Sequence, residues 1–251
     1  MTPGWPRILN YHSIVKLEVD PNKTGVSPAR FESHMLALKR RNLRGVSIRE
    51  LLQAWKEGES KGMVGLTFDD GYDDFLHTAL PILEKFTFSA TLFVVAGMLG
   101  RENDWDHYYD PRPRRRLLEA ADLREVAERG VEIGSHSMRH TKLTKLDPES
   151  MESEVAGSRR LLGEVLGEAV EGFAYPYGIL GDAAVQAVRR ADYSYACTVN
   201  TRLDQSVYDL PRIPITEQDG IVRFAAKLSI HSHYRMVKSS YQHILGKTER
   251  I

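Results

Sequence analysis

Met63-Val64-Gly65-Leu66-Thr67-Phe68-Asp69-Asp70-Gly71 is an apolar run that stops abruptly at two carboxylates and a glycine. Apolar residues on both faces of so short a segment read as a strand buried on both sides, as in a parallel sheet covered by helices. Working outward, residues 7–11, 90–95, 131–133, 173–175 and 193–198 read as further strands. Helical spacing lies between them, at 75–86 despite Pro81, 117–129, 148–166 and 182–190. An additional helix starts at Ser27 with Pro28 in its first turn and sets Phe31, Met35 and Leu38 on one face. Strand and helix in alternation predict an α/β protein built on a parallel sheet.

The chain has 251 residues, 42% hydrophobic and 27% charged, which suffices for one well-buried core. No break in composition divides it, and a single domain is expected. Lys plus Arg equals Asp plus Glu at 34 each, so net charge points neither to nucleic acid nor to an acidic membrane surface. The one basic cluster, Arg112, Arg114, Arg115 and Arg116, reads as a solvated helix start or as a rim that attracts an anionic polymer. Cys197 is the only cysteine; no intrachain disulfide can form, and a buried inert thiol in a strand is expected. No run approaches the roughly 20 apolar residues of a membrane span, so no transmembrane segment is expected. Met1-Thr2-Pro3-Gly4-Trp5-Pro6-Arg7 lacks the pattern of a secretory signal. As given, the chain is therefore expected in the cytoplasm, and outside it if a leader has been removed.

The chemistry-bearing residues share one topological position. Asp69, Asp70, His136 and Tyr177 all follow the C-terminal ends of predicted strands, where barrels and open α/β sheets build their sites. Adjacent residues on extended chain point different ways, so one of the two carboxylates can bind a cation while the other faces water. His136-Ser137-Met138-Arg139-His140 sets two imidazoles four residues apart, which on a helical turn would face the same side. With a strand-end carboxylate they supply two nitrogens and one oxygen, the ligand set of a catalytic zinc site. The irregular stretch 97–113, with Trp105, His107, Tyr108 and Tyr109, is too long for a plain connector and is expected beside the site. His34 and His77, on helices, and His231, His233 and His243 in the tail are expected to be structural or superficial.

Thr67-Phe68-Asp69-Asp70-Gly71, His136-Ser137-Met138-Arg139-His140 and Tyr175-Pro176-Tyr177-Gly178, in that order, resemble the first three motifs of the polysaccharide deacetylase family, carbohydrate esterase family four. The resemblance spans roughly residues 7–215 and implies a distorted (β/α)7-type barrel over 1–220, with 221–251 a helical tail packed on or near it. It also implies Asp69 as general base and Asp70, His136 and His140 as ligands of a divalent metal, usually zinc. The backbone N–H of Tyr177 would stabilise the oxyanion, and Pro176 would shape the groove wall.

Two departures stand out, the first being the Arg that the family usually carries ahead of the third motif, where this sequence reads Phe173-Ala174-Tyr175. The family's late Leu-x-His motif, which carries the general acid, is replaced by Leu210-Pro211-Arg212-Ile213-Pro214, while Ile8-Leu9-Asn10-Tyr11-His12 opens the chain. This resembles the circularly permuted members that deacetylate poly-β-1,6-N-acetylglucosamine, and it implies His12 as the acid. First and last strands of a barrel are neighbours, so one histidine can arrive from either terminus. Asp192 and Arg212 are expected to form a salt-bridged outer layer around Asp69 or His12, and Trp105 to line the substrate groove. The function expected is hydrolysis of N-acetyl groups on a hexosamine-containing glycan. O-deacetylation of a xylan-type substrate and an inactive glycan-binding module are the competing readings.

Overall fold

The computed structural model describes residues 6–20, 22–105, 114–199 and 206–229. His107, Tyr108, Tyr109, Arg112, His231, His233 and His243 lie outside them, as does the expected tail beyond 229.

Nine strands pair among the described residues, each pairing parallel. They are β1 (Ile8–Tyr11), β2 (Arg44–Val46), β3 (Met63–Phe68), β4 (Thr91–Val94), β5 (Glu132–Ser135), β6 (Gly172–Ala174), β7 (Tyr195–Thr198), β8 (Leu210–Pro211) and β9 (Ile213–Pro214). The order is β8-β7-β6-β5-β4-β3-β1-β9, with β2 paired to β3. Because β8 and β9 are two halves of the stretch 210–214, that stretch joins both edges of the sheet and makes it a nearly closed barrel. Leu210 and Pro211 register with Cys197 and Thr198, and Ile213 and Pro214 with Leu9 and Asn10. The barrel is distorted: β5 and β6 meet only at Ser135 and Phe173, and β2 wedges against the first half of β3.

Helices α1 (Pro28–Arg40), α3 (Leu80–Lys85), α4 (Ala120–Glu128), α5 (Pro148–Leu166) and α6 (Asp182–Arg190) bury their apolar faces in one large core with the sheet. A π-type stretch, Phe75–Ala79, runs without a break into α3, and this wider turn directly before Pro81 is where the continuous helix accommodates a residue that has no N–H to give. The expected helix starts at Ala120: Leu117 forms an isolated antiparallel bridge with Tyr72, and Glu119 is the N-cap. The helix at 221–229 is integral to the core: Phe224 is buried and stacks on His34 at 4.2 Å.

Period two sorts the strand residues. Val64, Leu66 and Phe68 face the helices, whereas Thr67 and Asp69 meet Arg212 inside the barrel. One end of the interior is plugged by α2 (Ile48–Glu57), whose Ile48, Leu51 and Leu52 pack with Ile8, Phe93 and Tyr195. Gly134 and Gly172 leave the room that Phe93 and Tyr195 fill, since a Cβ at either would stand 2.4 or 2.3 Å from those rings. Glu132 ties plug to barrel, accepting from Tyr195 Oη at 2.9 Å, Thr91 Oγ1 at 2.7 Å and the Arg49 backbone N–H at 2.9 Å. With that end filled, the strands' C-terminal end is where the interior opens.

Candidate active site

A cavity of about 770 Å³ opens there, lined by His12, Asp69, Asp70, Trp105, His136, His140, Tyr177 and Arg212 among others. The structure thus brings together eight of the ten residues singled out from sequence.

The chain is bent to do so. Asp70 and Gly71 both take left-handed backbone (φ 76° and 78°), which turns the segment sharply at the end of β3 and separates the two carboxylates. Ser137 (φ 67°), His140 (φ 58°) and Tyr177 (φ 59°) are left-handed as well. Such conformations cost about 1–3 kcal/mol each for residues with a Cβ and persist only where surroundings impose them. The expected helical turn at His136–His140 is therefore a correction: the segment is a tight loop. Hydrogen bonds impose its shape, with the His140 N–H donating to Ser137 Oγ at 3.0 Å. Glu154, a buried carboxylate on α5, accepts the N–H groups of Met138 and Arg139 at 3.1 and 2.9 Å. Sequence reading missed Glu154, yet a signal exists: it shares the buried face of α5 with Met151, Val155, Ser158 and Leu162.

Asp70 Oδ1 stands 3.6 Å from His136 Nε2 and 3.4 Å from His140 Nε2, and one ligand atom from each of the three residues lies within 4.8 Å of the others. Oδ1 is buried without a hydrogen-bond partner. A buried acceptor left unpaired costs about 1–3 kcal/mol or more when charged, so this oxygen, aimed between two imidazole nitrogens, fits a cation. Two nitrogens and one oxygen suit zinc with open positions. His136 Nδ1 donates to the Ala174 carbonyl at 2.8 Å, which turns Nε2 toward Asp70. The His140 ring packs against Trp105 at 4.7 Å and Tyr177 at 4.5 Å. Burial holds the His140 pKa well below the usual histidine range, leaving the neutral imidazole that ligation needs. Burial raises the Asp70 pKa, partly offset by His12, His136 and the Tyr72 hydroxyl.

Asp69 takes a different partner. Arg212 grips it with two hydrogen bonds, Nη1 to Oδ1 at 2.6 Å and Nη2 to Oδ2 at 2.7 Å, both side chains being buried. Burial alone would raise the Asp69 pKa, but the guanidinium, then His136, hold it well below the usual carboxylate range. Arg212 arrives on the seam strand, its backbone N–H bonded to the Thr198 carbonyl at 2.8 Å, so barrel closure delivers it.

Two expected residues are not in the cavity wall. Asp192 is exposed on the turn that precedes β7, at the opposite end of the barrel from the site, and no outer-layer role is open to it. Pro176 is buried; the wall is formed instead by Tyr177 and Gly178, where two successive left-handed residues turn the chain. Of the basic cluster, Arg114 lines the cavity, Arg116 pairs with Glu119 at the surface, and Arg115 pairs with Asp74. Cys197 is buried inside the barrel, where desolvation pushes its thiol up to about 12, as expected of an inert residue.

This barrel and this site define a class. The chain belongs to the polysaccharide deacetylase family, whose model matches residues 56–196, more than half of the sequence, and it is a hydrolase of that class. Bacillus subtilis YxkH, which carries the same family's name, is 28% identical over 83% of this chain and 71% of its own length. A poly-β-1,6-N-acetyl-D-glucosamine N-deacetylase of Staphylococcus aureus is 26% identical over 83% of this chain and 78% of its own. Among solved structures, the Streptococcus pyogenes deacetylase PplD in complex with acetate superposes with a TM-score of 0.75 at 26% identity, over 89% of this chain and 98% of that one. The matched span 56–196 holds Asp69, Asp70, His136, His140 and Tyr177 but leaves out His12 and Arg212.

Proposed function

We propose that this protein hydrolyses the N-acetyl amide of an N-acetylhexosamine-containing glycan, releasing acetate and a free amine. The observation that carries the reading is the Asp70 oxygen buried without a partner between His136 and His140. These three residues would hold a divalent cation, most simply Zn2+. Bound there, such an ion lowers the pKa of water and polarises a carbonyl oxygen, which suits a base as weak as the Arg212-paired Asp69.

The chain's own groups supply the remainder. Asp69, ionised at neutral pH, receives the proton of the attacking water. Tyr177 lines the cavity, and its backbone N–H is the donor in this reading to the developing oxyanion, worth about 3–4 kcal/mol of barrier for one such donor. His12, in the same cavity at the end of β1, protonates the leaving nitrogen. Support for an N-acetylated sugar comes from the Staphylococcus relative named for poly-β-1,6-N-acetyl-D-glucosamine and from the acetate bound by PplD.

Acetate release from a panel of acetylated sugars tests this. Oligomers of β-1,6- and β-1,4-linked N-acetylglucosamine should release acetate, and a chelator should stop the release until zinc is restored. Release from O-acetylated xylan alone would transfer the protein to the esterases.

A further inference from the structure

Asp74 lies four residues beyond Asp70, and its side chain turns back to the loop that leaves β1. Oδ1 accepts the Ile14 backbone N–H at 2.6 Å, and Oδ2 accepts the Ser13 hydroxyl at 2.8 Å. The Arg115 guanidinium bonds both Ser13 Oγ and Asp74 Oδ2 while lying 3.9 Å over the ring of Tyr72. The two residues after His12 are thus gripped by a carboxylate at the start of the helical stretch that follows the Asp69–Asp70 turn. On its other side, the Tyr11 carbonyl accepts the Asp69 N–H at 3.0 Å, and Tyr11 is in register with Phe68. His12 is therefore the single residue between two anchors supplied by the segment that bears the proposed base and metal ligand. The backbone of Ser13 is also paired with the 24–26 stretch, its N–H donating to the Thr24 carbonyl at 3.1 Å and its carbonyl accepting the Val26 N–H at 2.9 Å. The side-chain bonds to Ser13 and the bond to the Ile14 N–H come from Asp74 and Arg115.

Building on the reading of His12 as the acid, we infer that Asp74 is a positioning residue for proton delivery. It fixes the His12 backbone against the Asp69–Asp70 turn so that the imidazole meets the leaving group. When the tetrahedral adduct collapses, the C–N bond breaks, its electron pair stays on nitrogen, and that nitrogen takes the proton from His12. A 4-nitrophenolate leaves without any proton. A displaced acid consequently slows amide cleavage far more than cleavage of an activated ester, whereas a damaged metal site or fold slows both.

The test is steady-state hydrolysis by the zinc-loaded full chain of an N-acetylglucosamine oligomer and of 4-nitrophenyl acetate, for wild type, Asp74→Asn, Ser13→Ala and His12→Ala. Asp74→Asn should lose at least about tenfold in kcat on the amide and less than about threefold on the ester. Its zinc content should stay at the wild-type value. Ser13→Ala keeps the Ile14 bond and should show the same bias at smaller size; it decides the matter if Asp74→Asn does not fold. Equal losses on the two substrates, or no loss on the amide, overturn the inference. A bias in His12→Ala that neither clamp variant shows removes the clamp alone. No bias in His12→Ala removes His12 as the acid, and the clamp with it.

Discussion

Substituting asparagine for Asp69 is expected to lower kcat for acetate release by about 10²- to 10⁴-fold, the range that a positioned proton acceptor contributes. Asparagine keeps the shape of the side chain and an oxygen for Arg212, yet it cannot take a proton from water. Asp70, His136 and His140 are untouched by the change, so zinc content and KM should stay near their wild-type values. Stopped assays with equal zinc loading measure this; an unchanged kcat would remove Asp69 from the reaction.

The second large effect is on stability. Arg212→Met leaves the Asp69 carboxylate buried without its guanidinium, and breaking a buried pair from one side costs about 3–5 kcal/mol. Urea unfolding of the metal-free proteins is the measurement. The pH dependence has a definite sign. In wild type, Asp69 is held below its unfolded value, so its stabilisation is complete above about pH 4 and is lost as pH falls through the folded value. Without Arg212, burial drives the same group upward. The gap between variant and wild type should thus be full at neutral pH and close on acidification. Combining Arg212→Met with Asp69→Leu should recover most of the loss, because an apolar pair of similar volume needs no compensation for a buried charge. A double variant no more stable than the single would mean that Arg212 acts by packing on Phe93, which it overlies at 5.4 Å, rather than by charge.

Long buried strands with an acid or histidine just beyond them were readable because burial on both faces leaves an unbroken apolar run, and function shows as the residue that breaks it. This holds best for β3 with Asp69–Asp70; β1, with Asn10 inside it, and β5, with Glu132 and Ser135, are four-residue strands whose histidines show by position, just past the strand end, rather than by breaking an apolar run. The seam at 210–214 was not readable as a strand. It pairs two residues at a time with each edge and contains Pro211 and Pro214, which lack the ladder N–H and look like a loop. Arg212 could be suspected from sequence, but only closure of the barrel tells which carboxylate it meets. Strand β2 and the helix α2 that plugs the barrel were not expected from sequence, and even a recognised amphipathic helix there would not tell plugging from covering, since both use the same pattern. Left-handed Ser137 and His140 defeat a spacing argument, because His-x-x-x-His on a helix and on this loop are written alike. Asp192 precedes its strand, whereas the residues that build the site lie at or beyond strand C-terminal ends. Glu154 carries only the signal of its place on the apolar face of α5, and Asp74 none; long-range contacts are needed to show backbone N–H groups converging on both.

Metal content decides the matter most directly. Full-length protein purified, stripped with chelator and titrated with zinc should take up one equivalent per chain, and Asp70→Ala, His136→Ala and His140→Ala should each fail to do so under the same competition while remaining folded. Equal zinc uptake by wild type and all three variants, or none by wild type, would contradict the convergence of Asp70, His136 and His140 on a single cation.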